Sequence, residues 1–199
     1  MKGHIFRDRD GSTPLDPDQI QGLKFSHITT MAELDELEDA NIQKGLDWLN
    51  HQKGDYLSTG FLKKLHKELF KDVWKWAGTF RKREVNLSKI PFYNVEVELH
   101  NLFKDASVWI ENQSFSWDEM AAEFHHRLVS IHPFPNGNGR ISRIMTEYFE
   151  KRNEKFVTNW KNSLLNNPEE RRRQYIAALK NADRGDYRLL VEFMSEKNS

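Results

Sequence analysis

A glycine-rich segment between His132 and Arg143 combines residue types that suit phosphate chemistry. Its glycines let the backbone approach a ligand closely. The helix expected to begin directly after them would direct free amides and the positive end of its dipole at an anion. Arg140 and Arg143 stand three residues apart, so they share one face of that helix, and paired arginine donors suit phosphate oxygens. The residues themselves therefore predict a polyphosphate site.

His132 lies at the entrance of this loop, and histidine is the most common general base near neutral pH. The pattern predicts that a hydroxyl deprotonated by His132 attacks a phosphate of a bound nucleotide. A helix C-cap is the structural alternative for His132, and ordinary surface charge is the alternative for Arg140 and Arg143. The loop is not the usual P-loop, because no Gly-Lys-Ser/Thr follows the glycines and a helix is expected before it.

Composition narrows the classes of function. The chain has 199 residues, 30 basic and 30 acidic side chains, and no cysteine. One domain is expected at this length, and zero net charge argues against a protein that coats duplex DNA. The absence of cysteine excludes disulfides and thiolate catalysis and fits a reducing compartment. Without an 18-residue apolar run or the apolar core of a signal peptide, we expect a cytoplasmic protein with no membrane span.

The elements that must position the loop are expected to be helices, so the predicted fold is an all-α bundle. Capping boxes at Thr30/Glu33 and Ser116/Glu119 mark two helix starts. Residues 79–93 show no helical period and contain a proline, which predicts a short β-hairpin or flap. The predicted helices span about 31–51, Ser58 or Thr59 to Gly78, 95–112, 117–131, 140–153, Asn167 to Asn181, and 187–196.

The loop resembles the signature of Fic domains, which reads His, any residue, Phe, any residue, Asp or Glu, Gly-Asn-Gly-Arg, two of any residue, Arg. The residues that match are His132, Phe134, Gly137, Asn138, Gly139, Arg140 and Arg143. Residues 65–81 and 175–187 also resemble Fic segments, so the resemblance covers about 59–194. The turn-forming residues of 1–28 predict an irregular arm, and the resemblance predicts a candidate regulatory helix over 29–54 and a Fic catalytic domain over 55–199. The N-terminal part resembles a branch called mobile mystery protein B.

What the resemblance implies is protein AMPylation, the transfer of AMP from ATP, with Mg²⁺, to a Ser, Thr or Tyr hydroxyl of a target protein. His132 would then be the general base, and Phe134 would anchor the loop in the core. The nucleotide would be held by Gly137, Asn138, Gly139, Arg140 and Arg143. The target segment would pair as a strand with a flap, with Ile90 or Phe92 as its hydrophobic clamp; the flap residues are Ser88, Lys89, Ile90, Pro91 and Phe92.

Asn136 departs from the family pattern, which has an acidic residue at this position. That carboxylate normally binds Mg²⁺, and an amide oxygen offers the ion a ligand without the charge. Asn136 is therefore the candidate metal ligand, with weaker metal binding expected. Two alternatives stay open: a Fic-like phosphotransferase, and a degenerate Fic fold that only binds a nucleotide or a partner.

Many Fic proteins are inhibited by a glutamate that pairs with the second motif arginine, here Arg143. The inhibitory pattern matches in full only at 107–112, inside the catalytic core, so Glu38 or Glu33 of the N-terminal helix is the better candidate. A metal site at His125 and His126 is disfavoured, because adjacent histidines point to different sides of a helix. The mobile-element branch suggests a small helix-turn-helix partner protein encoded alongside.

Overall fold

The computed structural model describes residues 20–28, 30–155, 157–158, 160 and 168–195. Helices account for all the regular elements of this part of the chain, which confirms the all-α class, and a 3-10 turn over Phe92–Asn94 precedes the third of them. Among the described residues, no helix combines the length and the apolar character needed to cross a bilayer. The helices are α1 Met31–Asn50, α2 Thr59–Phe70, α3 Val95–Asn112, α4 Trp117–Ile131, α5 Asn138–Arg152, α6 Pro168–Ala182 and α7 Arg188–Ser195.

The described residues fall into two compact units. The first contains the chain up to Val97 together with His132–Asn138, and the second contains Glu98–Ile131 and the chain from Gly139 onward. The predicted domain bounds after residues 28 and 54 stay predictions.

In the first unit, α1 packs on α2 through leucines at helical spacing. The two helices approach so closely at Gly45 that a Cβ there would lie 2.8 Å from Leu69 Cα. Thr30 and Glu33 form the predicted capping box at the start of α1, and the Ser58 hydroxyl accepts from Phe61 N at the start of α2. The buried leucines of this pair are Leu34, Leu49, Leu62, Leu65 and Leu69.

Helix α2 ends at Phe70, eight residues before the predicted stop at Gly78. The reason is a buried side chain of α1: Asn41 donates to Glu68 O at 3.0 Å and accepts from Asp72 N at 2.8 Å. These bonds satisfy main-chain groups that another turn of helix would have used. The chain then turns through residues 71–78, and Gly78 adopts a left-handed φ of 79°.

The predicted β-hairpin within 79–93 is wrong. In the described residues the only bridge is an isolated one between Leu23 and Trp74, and residues 79–91 form turns and bends. Pro91 has no N–H for a ladder. The carbonyls of Arg83 and Ile90, which a ladder would use, instead accept from the Arg81 guanidinium.

In the second unit, α4, α6 and α7 pack around small and aliphatic side chains. The Ser116–Glu119 capping box forms as predicted, and the Phe124 and Phe149 rings stack at 4.5 Å. Helix α6 begins at Pro168, and Asn167, its predicted cap, lies outside the described residues. The cluster that these three helices share is Ala121, Ala122, Ala178, Ala182, Leu190 and Met194.

Candidate functional site

The His132–Asn138 segment of the first unit, here called the motif loop, contains two left-handed residues. His132 has φ 51° and Gly137 has φ 77°. A non-glycine residue in this region costs about 1–2 kcal/mol of backbone strain, which the surrounding contacts must offset. His132 is also buried. The backbone at the predicted base is therefore held in a shape that it would not adopt by itself.

Asn138 closes the motif loop on itself. Its side-chain oxygen accepts from Phe134 N and its side-chain nitrogen donates to Phe134 O, both at 2.8 Å. Phe134 is fully buried, which confirms its predicted place in the core. Since the amide of Asn138 is used inside the loop, its predicted role at the nucleotide falls to its main-chain N–H at the start of α5.

His66 of α2 connects the motif loop to Gly78, at the end of the turn that follows α2. Gly78 N donates to its Nδ1 at 2.9 Å, so Nε2 carries the hydrogen and donates to Asn136 O at 3.1 Å. The His66 ring also stacks on Phe134, with centroids 3.7 Å apart. The fully buried His66 thus fixes the loop by bonding to the main chain of Asn136 and by stacking on the Phe134 ring.

Gly137 lies against a wall of aromatic side chains. A Cβ at this position would come within 2.8 Å of Phe70 Cζ and 3.5 Å of His66 Nε2. Phe70 is itself buried, so the ring has little room to yield. Both its left-handed φ and this close approach require glycine.

Arg81 holds the other end of the motif loop. Its main-chain N donates to Pro133 O at 2.8 Å, and its Nε donates to His132 O at 2.8 Å. The side chain is almost completely buried, and burial lowers the pKa of the guanidinium while Glu84 partly raises it. A single residue therefore anchors the two successive carbonyls of His132 and Pro133.

Asn136 offers no charged ligand to a cation. Its side-chain oxygen accepts from Gly137 N at 2.6 Å, and the motif loop contains no carboxylate. The described residues contain no group of three or more histidine and carboxylate side chains able to hold a metal. Because Mg²⁺ prefers carboxylates and phosphates, the loop does not fit a resident Mg²⁺ ion.

In the second unit, the predicted arginines lie on the first turns of α5, as expected. Arg140 and Arg143 are half-buried. A Cβ at Gly139 would lie 3.6 Å from Arg143 Nη1, so the guanidinium passes close over the helix start. Burial lowers the pKa of Arg143 from its ordinary value, Tyr175 raises it and Arg140 lowers it. The three neighbouring groups thus form one electrostatic cluster.

A chain of buried hydrogen bonds joins α4, α5 and α6 beside this cluster. Thr146 donates its hydroxyl hydrogen to Ser142 O at 2.8 Å, so His125 Nδ1 must donate to Thr146 Oγ1 at 3.0 Å. Tyr175 then donates to His125 Nε2 at 2.8 Å. Burial and the nearby Arg143 lower the pKa of His125 to about 3, and burial raises the pKa of Tyr175 to about 12. Both groups are neutral near pH 7.

The predicted flap residues lie in the irregular segment 83–91 and the 3-10 turn after it. The Ser88 hydroxyl accepts from Ile90 N at 3.1 Å. Lys89 and Phe92 are exposed, and Ile90 and Pro91 are half-buried. The segment therefore lacks a strand edge, although its exposed side chains stay available for a target.

The two candidate inhibitory glutamates have other contacts in this structure. Glu38 is buried and accepts from Trp74 Nε1 at 2.6 Å. Glu33 accepts from Thr30 N in the capping box. Their inhibitory role stays a prediction.

Sequence reasoning did not assign roles to His66, Arg81, His125 and Tyr175. His66 occupies a position in the apolar stripe of α2, and a histidine in such a stripe is a weak signal of a buried hydrogen bond. Arg81 lies in the run Arg81-Lys82-Arg83, where residue type alone does not distinguish it from its exposed neighbours.

Comparison with known proteins places this geometry in a family. Residues 56–149 match the model of the Fic/DOC family. The chain is 31% identical over 123 residues to protein adenylyltransferase fic-1 of Caenorhabditis elegans, covering 60% of this chain and 23% of that relative. It is 29% identical over 94 residues to the probable protein adenylyltransferase Fic of Escherichia coli, covering 43% of this chain and 46% of that relative. The chain thus spans less than half the length of either relative.

Solved structures share the fold. The C. elegans Fic-1 structure (residues 134–508 of that protein) has a TM-score of 0.62 and 25% identity, covering 88% of this chain and 56% of that one. BepC of Bartonella tribocorum, solved with bound AMPPNP, has a TM-score of 0.64 and 19% identity, covering 96% of both chains. The family match and the shared fold identify residues 56–149 of this chain as a domain of the Fic/DOC family.

Proposed function

We propose that this chain is a protein adenylyltransferase, which transfers AMP from ATP to a hydroxyl side chain of a target protein. The observation that supports this most directly is the motif loop, in which a buried His132 is held in a left-handed conformation by hydrogen bonds from Arg81. An enzyme needs its base fixed in this way, because a misplacement of about 1 Å can cost a hundredfold in rate. The curated names of the relatives support the same reaction.

In the proposed reaction, the target hydroxyl oxygen attacks the α-phosphorus of ATP. The bond from that phosphorus to the oxygen bridging to the β-phosphate breaks, pyrophosphate leaves, and the hydroxyl proton passes to the His132 imidazole. Main-chain amides of Gly137, Asn138 and Gly139 would hold the α- and β-phosphates at the start of α5. Arg140 and Arg143 would hold the β- and γ-phosphates as paired donors.

Mg²⁺ is proposed to arrive with the nucleotide, as part of the Mg·ATP substrate. The motif loop supplies one neutral amide oxygen at Asn136 and no carboxylate, so the nucleotide phosphates would provide the charged ligands. Weak dependence of activity on the exact divalent ion would follow from this arrangement.

A Fic-like phosphotransferase is the second candidate, and Asn136 is the observation that favours it. An amide in place of the acidic residue weakens metal-directed orientation of the α-phosphate. Its oxygen already accepts from Gly137 N. The transferred group would then be a phosphoryl group and not an adenylyl group. A module that only binds nucleotide is the third candidate. The presence of His132, Arg140 and Arg143 in the chain argues against it.

Mass spectrometry of the protein incubated with Mg·ATP, alone and with lysate, distinguishes these functions. An adenylyl adduct that is absent with His132→Ala supports the proposal, since loss of a general base lowers rates by about 10²–10⁴. A phosphoryl adduct supports the second candidate. If neither the protein itself nor any lysate protein carries an adduct, nucleotide binding is the only candidate function that remains. Asn136→Glu should raise adduct formation, and an unchanged rate would show that Asn136 does not limit the reaction.

The target is proposed to be a protein that presents a Ser, Thr or Tyr hydroxyl beside residues 88–92. The inhibitory glutamate, if one acts, is proposed to be Glu38 or Glu33, and Glu38→Gly with unchanged auto-adenylylation would exclude Glu38. A cytoplasmic location is supported by the absence of cysteine. The small helix-turn-helix partner and the mobile-element branch stay predictions.

A further inference from the structure

Arg81 is the buried member of a basic run whose other members, Lys82 and Arg83, are exposed. Taking a guanidinium out of water is costly unless its donors are satisfied. The Arg81 guanidinium donates mainly to main-chain carbonyls. Its ion pair with Glu84 spans 3.6 Å, and the Glu84 side chain is 61% exposed. The charge is therefore kept inside the protein by hydrogen bonds, whose geometry is directional.

The partners of Arg81 come from two segments that are far apart in sequence. On the motif-loop side, its main-chain N and its Nε donate to the carbonyls of Pro133 and His132. On the other side, Nη1 donates to Arg83 O at 3.1 Å, and Nη2 donates to Ile90 O at 2.5 Å. Both segments belong to the same compact unit, and one planar group is bonded to both.

The planar shape of the guanidinium makes this connection rigid. Its donors lie in fixed directions, whereas a lysine ammonium is one rotatable point charge on a flexible stem. Movement of residues 83–90 would displace Nη2, and through the planar group it would displace Nε at the His132 carbonyl. The φ of His132 is already left-handed, so a displacement of that carbonyl would change the main-chain geometry at the Cα that carries the imidazole.

We propose that Arg81 is a positioning residue that couples the segment 83–90, which contains the flap residues 88–90, to the base His132. This inference rests on the proposed adenylyltransferase function. It adds that binding of the target and orientation of the base occur together. Arg81 is buried and acts through the carbonyls of His132 and Ile90.

Kinetics test the effect on the base. Arg81→Lys keeps the charge and removes the planar fork. We expect the maximal rate of self-adenylylation to fall by about 10- to 100-fold, with the ATP concentration for half-maximal rate changed less than about threefold. Lys82→Arg is the matched control, because it exchanges the same two residue types at the exposed neighbour of Arg81, and its rate should equal that of the unchanged protein. An equal fall in Lys82→Arg, or a change in ATP dependence alone, would overturn the proposal.

Native-state hydrogen exchange tests the coupling without any activity or variant. The Phe134 and Ile90 amides are suitable probes, because each donates to a side chain inside its own segment. If Arg81 joins the segments, the two amides should have opening equilibrium constants that agree within about threefold across a urea series. Opening equilibrium constants that differ by more than about threefold would overturn the coupling even if Arg81→Lys fails to fold.

The two experiments also separate this inference from the proposed function. Matched opening constants in a protein that forms no adduct would retain the coupling and reject the adenylyltransferase function. Matched constants with an adduct rate that Arg81→Lys leaves unchanged would reject the positioning role alone.

Discussion

The motif loop and the first turns of α5 follow one another in sequence, yet different kinds of contact hold them. In the loop, side chains distant in sequence bond to main-chain carbonyls: His66 to Asn136 O and Arg81 to His132 O. Beside α5, neutral side chains bond to one another, from Tyr175 through His125 to Thr146. The loop therefore depends on shape, above all on a glycine and stacked rings. The α5 surroundings depend on buried titratable groups that stay uncharged.

Gly137→Ala should have the largest effect, because it tests the shape of the loop. The new Cβ would meet the Phe70 ring in a backbone region that alanine disfavours. We expect the free energy of unfolding to fall by about 2–4 kcal/mol and adduct formation to be lost. Gly60→Ala in α2, where a Cβ meets open space, should instead stabilise the protein by about 0.5–1 kcal/mol. Urea unfolding checks both variants, and equal changes would contradict the argument.

Glu150→Gln tests whether buried titratable groups govern the α5 region. Burial raises the pKa of Glu150 to about 7, although Thr158 N and Oγ1 donate to the carboxylate. Between pH 4.5 and 7 the folded protein then holds a proton that the unfolded chain releases, so this group's contribution to stability declines as pH rises. The decline approaches about 1.4 kcal/mol per pH unit.

The measurement is urea unfolding at several pH values between 4.5 and 7. The unchanged protein should gain stability relative to Glu150→Gln as pH falls through this range. A difference between the two proteins that stays constant with pH would show that Glu150 titrates normally, and the contrast between the regions would then be weaker.

Tyr175→Phe should have a smaller effect in the same region. It removes the hydroxyl that donates to His125 Nε2 and leaves a buried acceptor without that bond. The expected loss in the free energy of unfolding is about 1–3 kcal/mol. Tyr93→Phe is the control, because Tyr93 is 70% exposed, and it should change the value by less than about 0.5 kcal/mol. Similar losses in both variants would argue against the buried chain.

Asn136→Asp should have the smallest effect on stability. A carboxylate oxygen can accept from Gly137 N as the amide oxygen does, and a negative charge near the start of α5 is favourable. We expect a change within about 0.5 kcal/mol by urea unfolding. A loss above 1 kcal/mol would mean that the loop depends on the Asn136 side chain as well as on its carbonyl.

The sequence predicted the helices well where local signals mark their ends. Thr30/Glu33 and Ser116/Glu119 place two starts correctly, and the Fic signature places Phe134 in the core. The predicted end of α2 was wrong because a side chain distant in sequence, Asn41 of α1, determines where this helix stops. The prediction of a hairpin within residues 79–91 was wrong for a local reason, since the buried Arg81 of that segment donates to the Arg83 and Ile90 carbonyls that a hairpin would use. No local pattern distinguishes Arg81 from its exposed neighbours.

The contact of His66 with position 136 has an evolutionary consequence. His66 bonds to the main-chain oxygen of Asn136, a group that every amino acid possesses. Natural variation at this position can therefore exchange acid for amide while the loop keeps its shape. A single substitution at position 136 can in this way change the charge beside the start of α5 without removing the bond that His66 makes.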